Sequence, residues 1–374
     1  MIILGIETSC DETAISIVEA KGDLDDLEFK LHGSAVHSQV DIHKEYGGVF
    51  PTLAKREHLK NLPLVLESAL KKASLAMDKI DLIAVTVGPG LEPALWTGIN
   101  FAEDLGKKWG VPIVGTNHME GHIASVLLGE TDASSKSEIR NLKQDLEFRA
   151  SNLIFPAIAL LISGGHTELV YLKNWKEKEK IGETKDDAVG EAFDKVARML
   201  GLPYPGGPEI SRLAEEAREK NISLDTKFPR PMINSRDLNF SFSGLKTAVL
   251  YYVKKLRNSS LNELYEREES ISQFQKLQIS REFEDAVVET LVSKTKAAID
   301  RYDPKTLIIG GGVIANKALR ENFLKLKEKY RELEILIPQK SLTTDNAVMI
   351  AVAGYIAHKS GRNNKLKADG NLTY

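Results

Sequence analysis

Two distant segments of this chain follow the same pattern. Residues 3–20 (ILGIETSCDETAISIVEA) run as an apolar strand, a short polar turn and a second, β-branched strand. Residues 156–173 (PAIALLISGGHTELVYLK) repeat that plan. The turns are Thr8-Ser9-Cys10-Asp11 and Ser163-Gly164-Gly165-His166. Ile/Leu/Val runs bounded by small polar residues read as strands joined into hairpins. One hairpin is ordinary. Two, each opening a block of roughly 150 residues, predict a duplicated α/β lobe. The length of 374 residues agrees with two large lobes.

Further glycine turns punctuate the blocks. The strand Thr306-Leu307-Ile308-Ile309 runs into Gly310-Gly311-Gly312, and Ala315 to Arg320 then reads as a helix start. Strand, glycine turn and helix N-terminus in succession can cradle a phosphate or approach a ribose, although glycine also serves any tight turn. Another turn, Val87-Gly88-Pro89-Gly90-Leu91, follows the strand Asp81 to Val85. Helical periodicity covers Pro51 to Ala76, where Pro63 is expected to kink or break the helix. Asp186 to Leu200 reads as an amphipathic helix opened by two acids, and Ser280 to Arg301 as another. Thr344-Asp345-Asn346 caps an apolar helix, Ala347 to Ile356. Glu130 to Asn152 and Asn258 to Ser270 read as insertions or mobile loops, and the polar tail from Ser360 as frayed.

Composition excludes several classes. The 50 Lys+Arg against 53 Asp+Glu give a net charge of −3, so no chain-wide basic field marks a dedicated nucleic-acid binder. Local patches remain open, such as Lys55-Arg56 with Lys60, or Lys107-Lys108. A single cysteine rules out an internal disulfide framework and a four-cysteine zinc site. No apolar run approaches the ~18 residues of a membrane span. The N-terminus lacks a basic stretch and a small-residue cleavage site, so no signal peptide is expected. A cytoplasmic, reduced setting without a membrane is the expectation.

The residues that suggest chemistry are few. His118-Met119-Glu120-Gly121-His122 places two histidines at i and i+4, on one face of a helix and close enough to share a metal ion. Two capping or surface histidines would look the same. Glu120 falls on another face, so the spacing cannot repeat the HExxH metalloprotease arrangement. Further ligands are needed, and Asp11, Glu12 and Asp345 are the candidates, although an acid at a helix start is ordinarily just a cap. Asp186, Asp187, Glu191 and Asp194 form an acidic cluster, with the last three on one helix face; it is a solvated face or a site for hydroxyls or cations. Gly206-Gly207 forms a turn that a ligand can approach closely, and Cys10 reads as a small packed thiol.

The motifs GIETSCDET, GPGL, HMEGH, SGGHTELV, DDAVGEAFDKVARMLGLPYPGGPE, FSFSGLKT, GGGVIANKALR and TTDNAVMIA occur in that order. Together they resemble the tRNA N6-adenosine threonylcarbamoyltransferase family of the bacterial and mitochondrial TsaD type, from about residue 3 to residue 356. The family once carried the name of a sialoglycoprotein endopeptidase, an activity the HMEGH spacing speaks against. The resemblance implies an α/β fold like that of actin, sugar kinases and heat-shock chaperones, with two duplicated RNase-H-like lobes flanking a nucleotide cleft. It implies a first lobe over 1–125 completed by a helix around 343–358, an inserted loop over 126–155, a second lobe over 156–342 and a flexible tail over 360–374. The implied reaction moves L-threonylcarbamoyl from threonylcarbamoyl-adenylate to N6 of adenosine 37 in tRNAs reading codons that begin with adenine. AMP is released.

Carried onto matching positions, the resemblance implies His118, His122 and Asp345 as ligands of one divalent metal per subunit, iron first and zinc as the alternative. It implies that Ile162, Ser163, Gly164, Gly165 and His166 meet the adenylate, that Asp194, Gly207 and Asn316 hold its nucleoside, and that Asp11 and Glu12 are catalytic. Implied partners are tRNA with either a paralogous scaffold subunit and a small ATPase, or a second copy of the chain. Two departures stand out: Leu91 to Trp96 is bulkier than the family pattern, and Glu130 to Asn152 is longer. A small-molecule kinase of the same fold, or a non-catalytic scaffold paralogue, are the competing readings, and neither needs the two histidines with Asp345.

Overall fold

The computed structural model describes residues 1–128, 146–149, 153–259 and 271–374. Both repeated segments are hairpins. The first sheet is built from β1 (Ile2–Glu7), β2 (Glu12–Lys21), β3 (Glu28–Ser38), β4 (Leu82–Gly88), β5 (Ile113–Asn117) and β6 (Leu146–Arg149). The second has β7 (Ala157–Ile162), β8 (Thr167–Leu172), β9 (Lys178–Glu183), β10 (Thr306–Gly310) and β11 (Glu334–Leu336). The strand orders are β5-β4-β1-β2-β3-β6 and β11-β10-β7-β8-β9. In each sheet an antiparallel three-strand meander carries two parallel strands beside its first strand. The repeated sequence pattern is thus a repeated topology.

The helices are α1 (Val40–His43), α2 (Pro51–Ala73), α3 (Glu92–Trp109), α4 (His118–Ala124), α5 (Val189–Met199), α6 (Gly206–Glu219), α7 (Ser243–Ser259), α8 (Gln273–Tyr302), α9 (Lys317–Leu324), α10 (Leu326–Lys329) and α11 (Ala347–Lys359). Side chains alternate across each sheet, which sorts the core into layers. Leu4, Ile6, Ile15 and Ile17 pack on the α2 and α3 side, while Ile158, Leu160 and Ile162 pack against α5, α7 and α8. Ile3 and Val18 from the first sheet, and Ala157, Ala159 and Leu161 from the second, face a shared middle layer holding α4 and α11. α11 is buried from Ala347 through Ala357, as an all-round apolar helix must be. Gly5 permits this seat, because a Cβ there would lie 2.2 Å from the Ala347 carbonyl oxygen.

Several sequence expectations change here. α2 runs unbroken through Pro63, whose ring faces solvent; the Leu59 carbonyl it deprives of a donor lies on that same exposed side. α5 starts at Val189 rather than Asp186. The Asp186 carboxylate instead accepts the backbone N–H groups of Phe242 (2.8 Å) and Ser243 (3.1 Å) at the start of α7. α8 begins at Gln273, earlier than its apolar periodicity suggests, because Ser272 and Gln275 form a capping box.

The tail is the largest correction. Rather than fraying, it covers β5, the edge strand of the first sheet, where unpaired backbone groups would otherwise be open. Asn364 bridges to Gly115, and Asp369 N–H donates to the Val87 carbonyl at 2.9 Å. Leu366, Ala368 and Leu372 join the α2–α3 core layer. Of the two segments read as insertions, residues 146–149 pair with β3 as a strand. The remainder of Glu130–Asn152 up to residue 152, and residues 260–270, lie outside the described residues. No helix among the described residues is long and apolar enough to cross a membrane.

Candidate active site

α4 starts where β5 ends. The Asn117 side chain accepts the N–H groups of Met119 (2.8 Å) and Glu120 (3.3 Å), which sets the first turn. The i, i+4 spacing then brings the His118 and His122 rings to 4.7 Å between centroids, edge to face. From the other side comes the start of α11. Asn346 is the cap there, accepting Met349 N–H at 3.0 Å. Asp345, freed from capping, turns to the histidines. Its Oδ1 lies 3.3 Å from Nε2 of His118 and 3.3 Å from Nε2 of His122. One donor atom from each of the three residues lies within 4.8 Å of the others.

The surroundings orient this cluster. Glu7, fully buried at the end of β1, accepts His118 Nδ1–H at 2.9 Å and the Thr86 hydroxyl at 2.7 Å. It also accepts the Ser9 backbone N–H. Burial works against a charged His118, but Asp345 and Glu7 outweigh it and raise its pKa well above the ordinary range. Burial also disfavours ionised Asp345, yet His118 and His122 hold its carboxyl well below the usual range. Burial keeps His122 neutral.

The donor set fits a divalent cation. His122 is fully buried; its Nδ1 has no hydrogen-bond partner, and its Nε2 has only the Asp345 carboxylate, at 3.3 Å. Such an orphan is expensive in a protein interior and calls for an explanation. Two imidazoles and one carboxylate, with a carboxylate fixing His118 from behind, form a three-residue set that leaves room for substrate.

The β1–β2 turn carries Asp11 and Glu12. His58 Nε2–H donates to the Cys10 carbonyl at 3.0 Å, and Gln39 N–H donates to the Asp11 carbonyl at 2.9 Å, so the turn is held on both sides. Burial, then the charges of Asp345, Asp11 and Glu7, push the Glu12 carboxyl up to about 10. The Cys10 thiol is raised too, chiefly by burial, in keeping with a packed, unreactive sulfur.

The second lobe contributes the other side of the cleft. Ile162 is buried at the end of β7. The Ser163 hydroxyl accepts His166 N–H at 3.1 Å, closing the glycine turn. A Cβ on Gly164 or Gly165 would meet nothing within 4 Å, so this turn has an open face. Burial, with the charge of His118 next, pulls the His166 pKa down to about 4, so it stands neutral beside the histidine pair. Asp194 accepts Gly206 N–H at 2.7 Å, joining α5 to the start of α6, where Gly207 lies. Burial raises its pKa, and Asp11 adds to this across the cleft.

Two expected sites are otherwise engaged. The Asn316 amide caps α9 through Leu319 N–H (2.9 Å) and donates to Ser211 (3.0 Å) and to Glu284. Asp187 lies before α5 rather than on a face with Glu191 and Asp194, and it pairs with Lys195 (2.9 Å) and Lys246 (2.5 Å). Glu120 points away from the histidines, into a buried ion cluster with Lys178 (2.6 Å) and Arg362 (2.6 Å). Sequence reasoning passed over Glu7, Ser9, His58 and Gln39. For Glu7 a signal existed: an acid closing an otherwise apolar strand, IILGIE.

The family model described as TsaD, tRNA N6-adenosine threonylcarbamoyltransferase, matches residues 30–136 and 142–352. The tRNA N6-adenosine threonylcarbamoyltransferase of Thermosipho africanus (strain TCF52B) is 44% identical over 361 residues, covering 96% of this chain and 96% of that protein. The enzyme of the same name from Bacillus subtilis (strain 168) is 42% identical over 361 residues, covering 96% and 92%. Among solved structures, T. kodakarensis HypF superimposes with a TM-score of 0.57 at 12% identity, covering 96% of this chain and 47% of HypF. Full-length HypF in a phosphate- and nucleotide-bound form gives 0.53 at 12%, covering 98% and 47%. This chain therefore spans about half of HypF, and that likeness is one of fold. The architecture is the actin-, sugar-kinase- and chaperone-like one, with two related α/β lobes.

Proposed function

The chain belongs to the tRNA N6-adenosine threonylcarbamoyltransferase family, and from that membership we propose how its cleft performs the transfer. The enzyme is an acyltransferase that modifies N6 of an adenosine in tRNA. The donor in our reading is threonylcarbamoyl-adenylate. An exocyclic adenine amine is a poor nucleophile, because its lone pair is delocalised into the ring. A mixed carbamic–phosphoric anhydride offsets that weakness. The N6 lone pair attacks the carbamoyl carbon, the bond to the phosphate oxygen breaks, and AMP leaves with the electron pair.

His118, His122 and Asp345 would hold the cation, iron first and zinc as the alternative. When bound, a divalent ion supplies Lewis-acid polarisation of carbonyl or phosphate oxygen. The chain's own groups do the rest. The open Ser163-Gly164-Gly165 turn, flanked by Ile162 and His166, is where we seat the adenylate phosphate, since backbone N–H groups there can approach an anion without side-chain obstruction. Asp194 and Gly207 lie on the same cleft and suit the ribose. For Asn316, whose amide is already engaged, contact with the nucleoside would run through its neighbours or require exchange of partners. Asp11 takes the proton that N6 sheds. Glu12, pushed up to about 10, holds its proton at neutral pH and donates a hydrogen bond instead.

The observation that carries this reading is the convergence of His118, His122 and Asp345 in the cleft that also receives the Asp11-Glu12 and Ser163-Gly164-Gly165 turns. A small-molecule kinase of this fold has no use for such a centre. Exposed Leu59 and Leu64 on α2 suit a partner subunit, either a scaffold paralogue acting with a small ATPase or a second copy. The reading places the enzyme with its tRNA in the cytoplasm. Metal analysis of the wild type against His118→Ala/His122→Ala, paired with transfer to an unmodified tRNA, tests site and reaction together. Full activity without metal would refute the metal role, and phosphorylation of a small molecule with no tRNA product would favour the kinase.

A further inference from the structure

We propose that Tyr46 and Phe50 form a stacking platform for an unpaired nucleobase of the tRNA, beside the adenosine being modified. This deepens the transferase reading and rests on it. The two rings stack on each other at 5.6 Å between centroids and 22° between planes. Yet they are not core residues: Tyr46 is 59% and Phe50 50% exposed. A pair of large rings kept in register in water calls for a reason.

The pair is built into the cleft. Phe50 N–H donates to His43 Nδ1 at 3.3 Å, and His43 Nε2–H donates to Gln39 Oε1 at 3.2 Å. His43 and Gln39 are both fully buried. Gln39 N–H in turn donates to the Asp11 carbonyl. Three hydrogen bonds therefore connect the platform to the acids that act on N6. From the opposite lobe, Arg198, one turn beyond Asp194 on α5, donates to the Gly47 carbonyl. Gly47 takes the left-handed conformation, φ 65°, that turns the chain between the two rings. The loop thus spans both lobes at the cleft.

The chemistry around the rings favours RNA over a protein. The exposed residues flanking the rings along the chain are polar or small: Lys44, Glu45, Pro51 and Thr52, followed by exposed Lys55 and Arg56, while Ile42, Val49 and Leu53 are half-buried. Asp41 pairs with Lys44 at 2.6 Å, and with Arg198 the cations still outnumber the acids. Aromatic faces rimmed by cations are the usual receptors for unstacked bases, whereas a protein anchor is normally ringed by apolar groups that exclude water. The need is also plain. An adenine whose N6 must reach a recessed site has to leave the loop's stack, and its neighbour then loses a stacking partner. Tyr46 and Phe50 replace it.

The test measures equilibrium binding of an unmodified tRNA, with an anticodon for codons beginning with adenine, to the full chain by fluorescence anisotropy. Tyr46→Ala/Phe50→Ala should weaken binding about tenfold while leaving the slope of affinity against salt unchanged, because no phosphate contact is lost. Tyr46→Phe/Phe50→Trp should restore it, since stacking needs only the π faces. Lys55→Ala/Arg56→Ala should instead flatten the salt slope. In transfer assays with adenylate supplied, the alanine pair should raise KM for tRNA more than it lowers kcat, with KM for the adenylate unmoved. Unaltered tRNA affinity and KM in the alanine variant would overturn the platform, as would loss of a protein subunit with tRNA affinity intact. A wild-type chain that binds tRNA but transfers nothing to it would overturn the transferase reading instead, and one that binds no tRNA would overturn both.

Discussion

His118 Nδ1 stands 2.9 Å from Glu7 Oε2, and both side chains are buried. The contact joins the end of β1 to the first residue of α4, across the seam between two segments more than a hundred positions apart. It leaves Nε2 of His118 as the nitrogen that faces Asp345. A carboxylate behind a ligating imidazole fixes its ring and tautomer and raises its basicity.

Glu7→Gln should therefore weaken metal binding, by about 10- to 100-fold. Glu7→Ala should do at least as much, because it also strands the Thr86 hydroxyl and Ser9 N–H. Competition with a chelator of known affinity reads this directly. Wild-type affinity in both variants would show that Glu7 has no part in the site.

Metal binding should be coupled to protons. His118 is raised, so in the metal-free chain it holds a proton above the ordinary histidine value of about 6.5. Binding must release it, and affinity should rise with pH until His118 is deprotonated without metal. Calorimetry at pH 7 in buffers of different ionisation enthalpy should show net proton release. The sign for stability is opposite. A raised pKa in the folded state gives metal-free stability that is complete below about pH 6.5 and is lost as pH rises through the folded value. Denaturant midpoints of the metal-free chain between pH 6 and pH 9 should accordingly fall (roughly that window follows from the ordinary histidine value).

Glu120, the acid inside the histidine motif, is expected to matter for stability rather than as a base. It compensates Lys178, whose side chain is 4% exposed, and Arg362. Glu120→Ala leaves a buried ammonium unpaired and should cost about 3–5 kcal/mol in urea unfolding. Lys178→Met/Glu120→Met, which removes the buried pair and leaves only the partly exposed Arg362, should recover part of that loss. Equal destabilisation in the single and double variants would argue against an unpaired charge as the cause.

Asp11→Ala/Glu12→Ala should lower single-turnover transfer to tRNA by at least about 100-fold while donor binding stays close to wild type. The turn itself is held by backbone contacts from His58 and Gln39, so removing the two carboxylates spares its shape. Loss of adenylate binding in this variant would mean that the acids hold the donor rather than act on the amine.

Much of this was legible beforehand, and the reasons are local. The two hairpins, the glycine turns and the i, i+4 histidines are statements about neighbours in the chain, and β-branched runs and helical spacing encode them directly. The unbroken α2 was not legible, because whether Pro63 disrupts a helix depends on which side of it meets water. Nor was the tail, since its polar composition conceals that β5 offers an open edge to cover. The acidic run at 186–194 looked like one surface, but Asp186 and Asp187 are drawn to α7 and to two lysines before the helix begins.

The sequence by itself determined the elements, the duplication, the family and the candidate ligands, because each is carried by periodicity or by a contiguous motif. Only the tertiary structure decided that Asp345 is a partner of His118 and His122 rather than a helix cap. Asn346 takes the capping role, and an apolar α11 buried between two sheets delivers the preceding side chain to α4. That outcome rests on close approach, at Gly5 against Ala347 above all. Close approach between remote backbones is a property of packing, which no spacing within the chain records.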